Sequence, residues 1–390
     1  MISFLTSAGW LTFIIIFAIF AKALWFYYYF SLYAFKPKEY KEEYKGKVAL
    51  IVPAYNEEAW VLKETIEHVN RVKGVDQIIF VNDGSDKNNV VETLMRYCDG
   101  KYDILNLTKN VGKRRAQYEA ISKLSNDIEV VVFMDSDTLL QEDSIIELTR
   151  PMVDNDIGGT TACILVSNKN KNFLTKCVSA MYWTASNVWR KAPSNLGYIQ
   201  VTNGQLSCYR KDLLLKIMPN YINQFFLGVK CRISDDRYIT HYIQTQFNKK
   251  IIYTEKSIVF THLPIKYYNT YKMMLRWKQG AIRESFLVLK QIKKHPVLVL
   301  DIWAGRIIYL FQVMIRLMVI CLAFFYPIVL LYYLFSIIVV SLMYSFDMIF
   351  SNTKELGYRL VYSVMNEFYF SWTELHAYFT IRNQGTWATR

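Results

Sequence analysis

"KVALIVPAYNEE", Lys47 to Glu58, runs five apolar residues into a proline and then a polar loop. A short apolar run closed by turn-forming residues reads as a buried strand, ending here before Asn56. "EEAWVLKETIEHVNRV" follows with apolar residues at helical spacing, and "DQIIFVNDGSDKN" is a second short buried strand that ends in an acidic, glycine-containing loop. The helix-like "NVVETLMRYC", the strand "YDILNLT", the helix "GKRRAQYEAISKL" and the strand "IEVVVFMDSDT" continue the alternation. Strands and helices alternating at this spacing predict an α/β fold, a mostly parallel sheet with helices on both faces. In such sheets ligands lie outside the carboxyl ends of the strands. Tyr55, Asn56, Asp83, Gly84 and residues 135–138 are therefore expected along one rim.

Outward from this core the composition changes. Near the N-terminus, Trp10 to Tyr33 is interrupted only by Thr12, Lys22 and Ser31, and it ends in aromatics, "LWFYYYF". It exceeds the ~20 residues a spanning helix needs, and its aromatic end suits a membrane interface. A cleaved signal peptide would have a basic start and a shorter apolar core, so an anchor is expected. Residues 296–350 read as two apolar helices meeting near Pro327, and 356–381 as a span or an interfacial helix, since it carries Arg359, Glu367, Glu374 and His376. The lysines of "KPKEYKEEYKGK" and "KQIKK" bracket the middle of the chain and place it on the cytoplasmic side of a cell membrane.

Among 390 residues the net charge is +13, which membrane orientation accounts for; no zinc-finger spacing or RNP-like motif points to nucleic acid. Six cysteines show no paired spacing and are expected reduced and mostly buried. The expected division is 1–35 anchor, 36–265 α/β domain, 266–295 amphipathic interfacial helix, 296–350 transmembrane helices and 351–390 a membrane or interfacial segment with a terminal loop. Oligomeric state is not readable.

Several polar groups at the rim carry chemistry. Asp135 and Asp137, held at a strand end, suit a hard divalent cation, Mg2+ or Mn2+, that also bridges phosphates; the bland alternative is a solvated turn. Asp83 either accepts from a nucleobase, with Tyr55 offering an aromatic face, or bonds its own turn. Lys113, Arg114 and Arg115 follow Gly112 at a helix start, where a diphosphate would sit, or form a solvated basic turn.

Taken in order, "IVPAYNEE", "VNDGSDKN", "NVGKRRAQ" and "VVFMDSDT" resemble the family-2 glycosyltransferases with a GT-A fold. "QLSCYR", "FLGVKCRISDDRYIT", "LRWKQGAIRES" and "WATR" resemble their membrane-embedded processive branch, the hyaluronan synthases and related capsule polysaccharide synthases. The resemblance covers residues 48–390. It implies UDP-sugar donors, a growing polysaccharide acceptor and surrounding membrane lipids, with inversion at the anomeric carbon and export of the chain. It implies that Tyr55 and Asp83 hold the uracil, that Lys113 lies near the donor, and that Asp135 and Asp137 serve metal and nucleotide. Asp236 matches the general base, with Asp235 and Arg237 supporting it. Arg276 matches a diphosphate contact and Trp277 a platform for the acceptor sugar; an interfacial tryptophan is the alternative. Cys231 matches a cysteine near the acceptor, or is a small buried filler. Trp387, Thr389 and Arg390 match a loop that closes over nucleotide.

The chain departs from that pattern at four places. Met273 stands where glutamine is expected, Asn203 and Gln205 flank Gly204 at an acceptor-side run that is usually Ser-Gly-Pro, Ser234 replaces a glycine, and Ala388 replaces another. Asn203, Gln205 and Ser234 bear on which sugar is used, Met273 on a polar contact near the acceptor, and Ala388 on the loop that closes over nucleotide. A nonprocessive transferase acting on a lipid carrier, a chitin-like or other capsule polymer, and a noncatalytic membrane scaffold are the competing readings.

Overall fold

A computed structural model describes residues 20–86, 88–98 and 100–382. Helix α1 covers 20–34, so most of the expected anchor, with the terminal residues Trp387, Ala388, Thr389 and Arg390, lies outside the described residues. The α/β body begins with β1 (Lys47–Ala54), α2 (Ala59–Val69), β2 (Gln77–Asn82), α3 (Asn88–Cys98), β3 (Asp103–Asn106), α4 (Lys113–Ile121) and β4 (Ile128–Met134). These are the elements read from the alternation, in the same order. It continues with β5 (Thr138–Leu140), α5 (Ser144–Thr149), β6 (Ile157–Val166), α6 (Phe173–Thr184), a π-helical turn over Ala185–Arg190 and α7 (Lys191–Ser194). Then come β7 (Leu206–Arg210), α8 (Lys211–Ile222), the short hairpin β8 (Phe225–Phe226) and β9 (Val229–Lys230), α9 (Asp235–Gln246) and β10 (Lys250–Thr261). Helices α10 (Tyr267–Leu289), α11 (Pro296–Ala323), α12 (Ile328–Tyr344), α13 (Phe346–Ser351), α14 (Thr353–Met365) and α15 (Trp372–Phe379) complete it.

The main sheet runs β3-β2-β1-β4-β7-β6-β10-β5. Its first four strands are parallel, as the alternation predicts, and β6 pairs parallel with β10. Strand β7 is antiparallel to both β4 and β6, and β5 is antiparallel to β10, so the distal half is mixed. The period-two alternation of a strand splits the core in two. Leu50 and Val52 face one cluster with Leu62, Phe80 and Leu94, while Ala49 and Ile51 face the other with Ala116, Leu214 and Ile243. Burying both faces of the sheet places the carboxyl ends of β1, β2 and β4 at one polar rim.

Helix α11 is 28 residues, about 42 Å at ~1.5 Å per residue, and is long and apolar enough to cross a membrane. Helix α12 is 17 residues, about 25 Å, short of the ~30 Å hydrocarbon thickness. Pro327 caps α12 and separates the two, as expected. Phe324, Phe325, Tyr332 and Phe335 are exposed on this pair, while its charges turn inward. Asp301 accepts from the Tyr28 hydroxyl of α1 at 2.7 Å, Arg316 pairs with Glu367 at 2.7 Å, and Arg306 pairs with Glu374. Helix α14 packs against α6 and α12, and α15 against α10. The charges at 356–381 thus find partners on neighbouring helices.

All six cysteines are free, and five of them are buried, with Cys321 exposed.

Candidate active site

The loops after β1 and β2 interlock. Asn56 donates its backbone N–H to Ser85 Oγ at 3.0 Å and accepts from the Asp86 amide at 2.9 Å, and the Tyr55 hydroxyl donates to Asp86 Oδ2 at 3.2 Å. Gly84 has φ +62°, and a Cβ there would lie 2.1 Å from the Lys109 carbonyl carbon, so only glycine fits. Asp83 is 2% exposed and accepts from the amides of Val111 at 2.8 Å and Gly112 at 3.0 Å. Burial raises its carboxyl above the usual range, while the two amides pull the other way. Its contacts fix the loop that starts α4, while Asn82 accepts from the Ser85 amide within the turn itself at 3.1 Å.

The basic run at the start of α4 divides three ways. Lys113, 7% exposed, reaches Asp135 Oδ1 at 2.6 Å and Asp235 Oδ2 at 2.8 Å. Burial alone would lower its ammonium, but Asp135 and Asp235 outweigh that and hold it well above the ordinary lysine value. Arg114 points inward, stacked 4.7 Å from the Tyr221 ring, and Arg115 pairs with Glu119 at 2.6 Å along its own helix. The expectation of three basic side chains on a diphosphate therefore narrows to Lys113. A helix turns successive residues about 100° apart, so three neighbours do not share a face.

Asp135 and Asp137 follow β4 at the rim, as expected, with Ser136 between them donating to Glu57 Oε2 at 2.7 Å. Burial raises the Asp135 carboxyl; Asp137 and Asp235 add to that and Lys113 opposes it. Among the described residues no group of three or more His, Cys, Asp or Glu side chains converges as a metal cage. Mg2+-type ions commonly take one or two carboxylates and complete their shell with phosphate oxygens and water. A pair of hard, mutually repelling carboxylates at the rim fits that mode.

Asp235 and Asp236 form the first turn of α9. Burial opposes ionisation of Asp235, but Lys113 and Arg114 draw it below the ordinary value. Burial, then Asp235, push Asp236 up to about 6, against Arg237, whose backbone amide donates to Asp236 Oδ1 at 2.7 Å, and Lys113. Two adjacent carboxylates are thus driven apart, one firmly ionised and one poised to take a proton near neutrality. Arg237, lowered to about 10 by burial, lies beside Asp236, and its Nη1 reaches Gln200 O at 3.5 Å.

Gly204, between the predicted Asn203 and Gln205, shows how tightly these groups meet. A Cβ there would lie 3.3 Å from Asp135 Oδ2, 3.7 Å from Lys113 Nζ and 3.8 Å from Asp236 Oδ2. Asn203 itself is 2% exposed and donates Nδ2–H to Ala162 O at 2.6 Å, and the Gln205 carbonyl accepts from the Asp135 amide at 3.3 Å. Both shape the floor of the site through backbone partners. Sequence reading passed over Gly204 because its role depends on side chains from three other elements.

Trp277 of α10 stays 36% exposed, with its ring edge-on to Tyr182 at 6.0 Å. It presents an aromatic wall suited to a sugar ring. Burial raises the Tyr182 hydroxyl, against Arg190 and Arg276 and with Asp137. Tyr182 carries no motif and was missed. Met273 is 7% exposed and interior, so the apolar residue in place of glutamine matches its packing. Cys231 is 3% exposed, its thiol raised by burial, against Arg283 and Arg114. Ser234 sits at φ +62°, ψ +51°, the left-handed conformation that glycine adopts freely.

The profile described as "Glycosyl transferase family 2" matches residues 49–214. The chain is 30% identical over 286 residues to a hyaluronan synthase of Streptococcus pyogenes serotype M3, covering 70% of this chain and 67% of that protein. It is 32% identical over 244 residues to an N-acetylglucosaminyltransferase of Bradyrhizobium diazoefficiens, covering 62% of this chain and 50% of that one. The chain thus spans between half and about two thirds of the length of these relatives. Among solved structures, a mannosyltransferase of Pyrobaculum calidifontis, in complex with GDP-Man and Mn2+, superposes with a TM-score of 0.54 at 15% identity over 90% of this chain and 99% of that one. That likeness establishes the shared fold.

Proposed function

The chain belongs to glycosyl transferase family 2, and from that premise we propose that it is a processive, inverting synthase that polymerises sugars from UDP donors and passes the chain across a membrane. The observation that carries this reading is the convergence of Lys113, Asp135 and Asp236 around Gly204. Tyr55 and Asp83 border the nucleotide end. Lys113 and Arg276 supply positive charge where the diphosphate departs. Asp135 and Asp137 would hold a divalent cation, Mg2+ or Mn2+, which when bound neutralises charge on the leaving diphosphate; the Mn2+ held by the mannosyltransferase supports that class of ion.

Asp236 takes the proton from the acceptor hydroxyl as that oxygen attacks the anomeric carbon. A base held near 6 is ionised at neutral pH and still basic enough to accept it. Asp235 stays ionised on Lys113 and keeps the pair from sharing one role. Trp277 holds the acceptor ring so that the next hydroxyl lies against the base.

The membrane setting is supported by the hyaluronan synthase relatives and by α11. In this reading residues 1–35 anchor the chain, α11 and α12 form a hairpin, and α14–α15 lie at the interface beside a cytoplasmic catalytic domain at 36–265. The similarity to N-acetylglucosaminyltransferases favours a second reading, a chitin-like polymer made from one donor. Membranes supplied with UDP-sugars singly and in pairs separate the two: polymer from a pair alone supports a hyaluronan-like product, and polymer from one donor supports the other.

A further inference from the structure

Beneath the catalytic rim a closed ring of buried polar side chains grips one backbone carbonyl. Arg283 of α10, fully buried, donates from Nη2 to Ile233 O at 2.7 Å, and Arg114 of α4 donates from its Nη2 to the same oxygen at 2.9 Å. Arg114 also reaches Ser234 O at 3.1 Å and Gln224 Oε1 at 2.6 Å. Gln224 Nε2 donates to Glu284 Oε1 at 3.1 Å, and that oxygen also accepts from Arg283 Nε at 2.9 Å. All four side chains are less than a tenth exposed.

Stability alone is a weak reason for such a ring. Removing charges from water costs several kcal/mol per ion, and apolar residues of similar volume commonly serve stability as well or better. Direction is what the ring supplies. A carbonyl oxygen has two lone pairs, and here two guanidinium groups, one from α4 and one from α10, donate to the same oxygen. The peptide plane between Ile233 and Ser234 is thereby fixed, and with it the left-handed turn at Ser234 that launches Asp235 and Asp236. The helices that supply the grip also carry the substrate contacts. Lys113 precedes Arg114 on α4, and Arg276 and Trp277 lie about two turns before Arg283 on α10.

We propose that Arg283, Arg114 and Glu284 are positioning residues for the Asp235–Asp236 pair: they lock the Ile233 carbonyl and so hold the base at a set place between the donor-side lysine and the acceptor platform. This rests on Asp236 being the base and not on the product being a polymer. The test is Arg283→Lys in the full chain, in membranes, which keeps the charge and loses the two-pronged grip, with Arg114→Lys as the second variant. UDP release is measured over a range of UDP-sugar concentrations, UDP affinity by competition, and folding by the unfolding midpoint. A displacement of about 1 Å costs on the order of 100-fold, so kcat should fall by about 10- to 100-fold. In Arg283→Lys the donor KM and UDP affinity should change much less than kcat, because Lys113 keeps its contact with Asp135 and the groups after β2 and β4 lie on other elements. Wild-type kcat in a folded Arg283→Lys protein, or a rise in KM with kcat unchanged, overturns the proposal. So does failure of both variants to fold, which would make the ring a scaffold of the fold. A wild type that releases no UDP counts instead against the transferase reading beneath it.

Discussion

Ser234 and Gly280 offer a cycle whose magnitude follows from their geometry. Ser234 holds φ +62°, and a Cβ on Gly280 would lie 2.4 Å from Ser234 Oγ and 2.5 Å from Ser234 Cβ. Gly280→Ala alone therefore forces overlap between α10 and the start of α9, and should destabilise by about 1–3 kcal/mol, as overpacking does. Ser234→Gly alone removes the left-handed penalty, about 1 kcal/mol, offset by the greater entropy of an unfolded glycine. With the serine side chain gone the alanine has room, and in the interior of α10 alanine is favoured over glycine by about 1 kcal/mol. The double variant should thus equal or exceed wild type in stability, giving a coupling energy of at least about 1 kcal/mol. Unfolding midpoints of the four proteins in one detergent measure it. Additive effects, with Gly280→Ala equally harmful in both backgrounds, would refute the packing argument.

Asp236→Asn should cut transfer by about 100- to 10,000-fold, the usual worth of a general base, when UDP release is followed with acceptor present. The same variant should be more stable than wild type above pH 6: the folded carboxyl is raised to about 6 from 3.8, so its ionised form opposes folding by about 3 kcal/mol. For wild type, kcat/KM should rise as pH increases through about 6 and level off above it, because only the ionised base accepts a proton; a kcat/KM flat from pH 5 to 8 sinks that assignment. Gly204→Ala sets a methyl among Asp135, Lys113 and Asp236 and should lower donor affinity and rate together, read as a fall in kcat/KM with the unfolding midpoint preserved.

The half of the fold from β1 to β4 was legible because each strand is an apolar run closed by a polar turn and each helix repeats at its own period. The distal half was not: β7 reverses direction, β8 and β9 are two residues each, and β6 is buried almost throughout, so neither pattern marks them. Within the proposed site, the ordered motifs led to Asp135 and Asp236, which meet at Gly204. Arg114 was misjudged because adjacency in sequence does not give a shared helix face. Gly204 and Gly280 act through the space they leave, and Arg283 acts on a carbonyl fifty residues away, relations visible only in three dimensions. Ser234, a departure in sequence, became intelligible through its backbone angle and its contact with α10.

The central claim is that this site adds sugars repeatedly to one chain. The direct measurement is the size distribution of product from purified protein, a divalent cation and UDP-sugars supplied singly and in pairs, resolved by mass at low conversion. Repeated addition predicts long chains beside unused acceptor from the earliest time points. Products confined to one added sugar, at any time or donor combination, would contradict it.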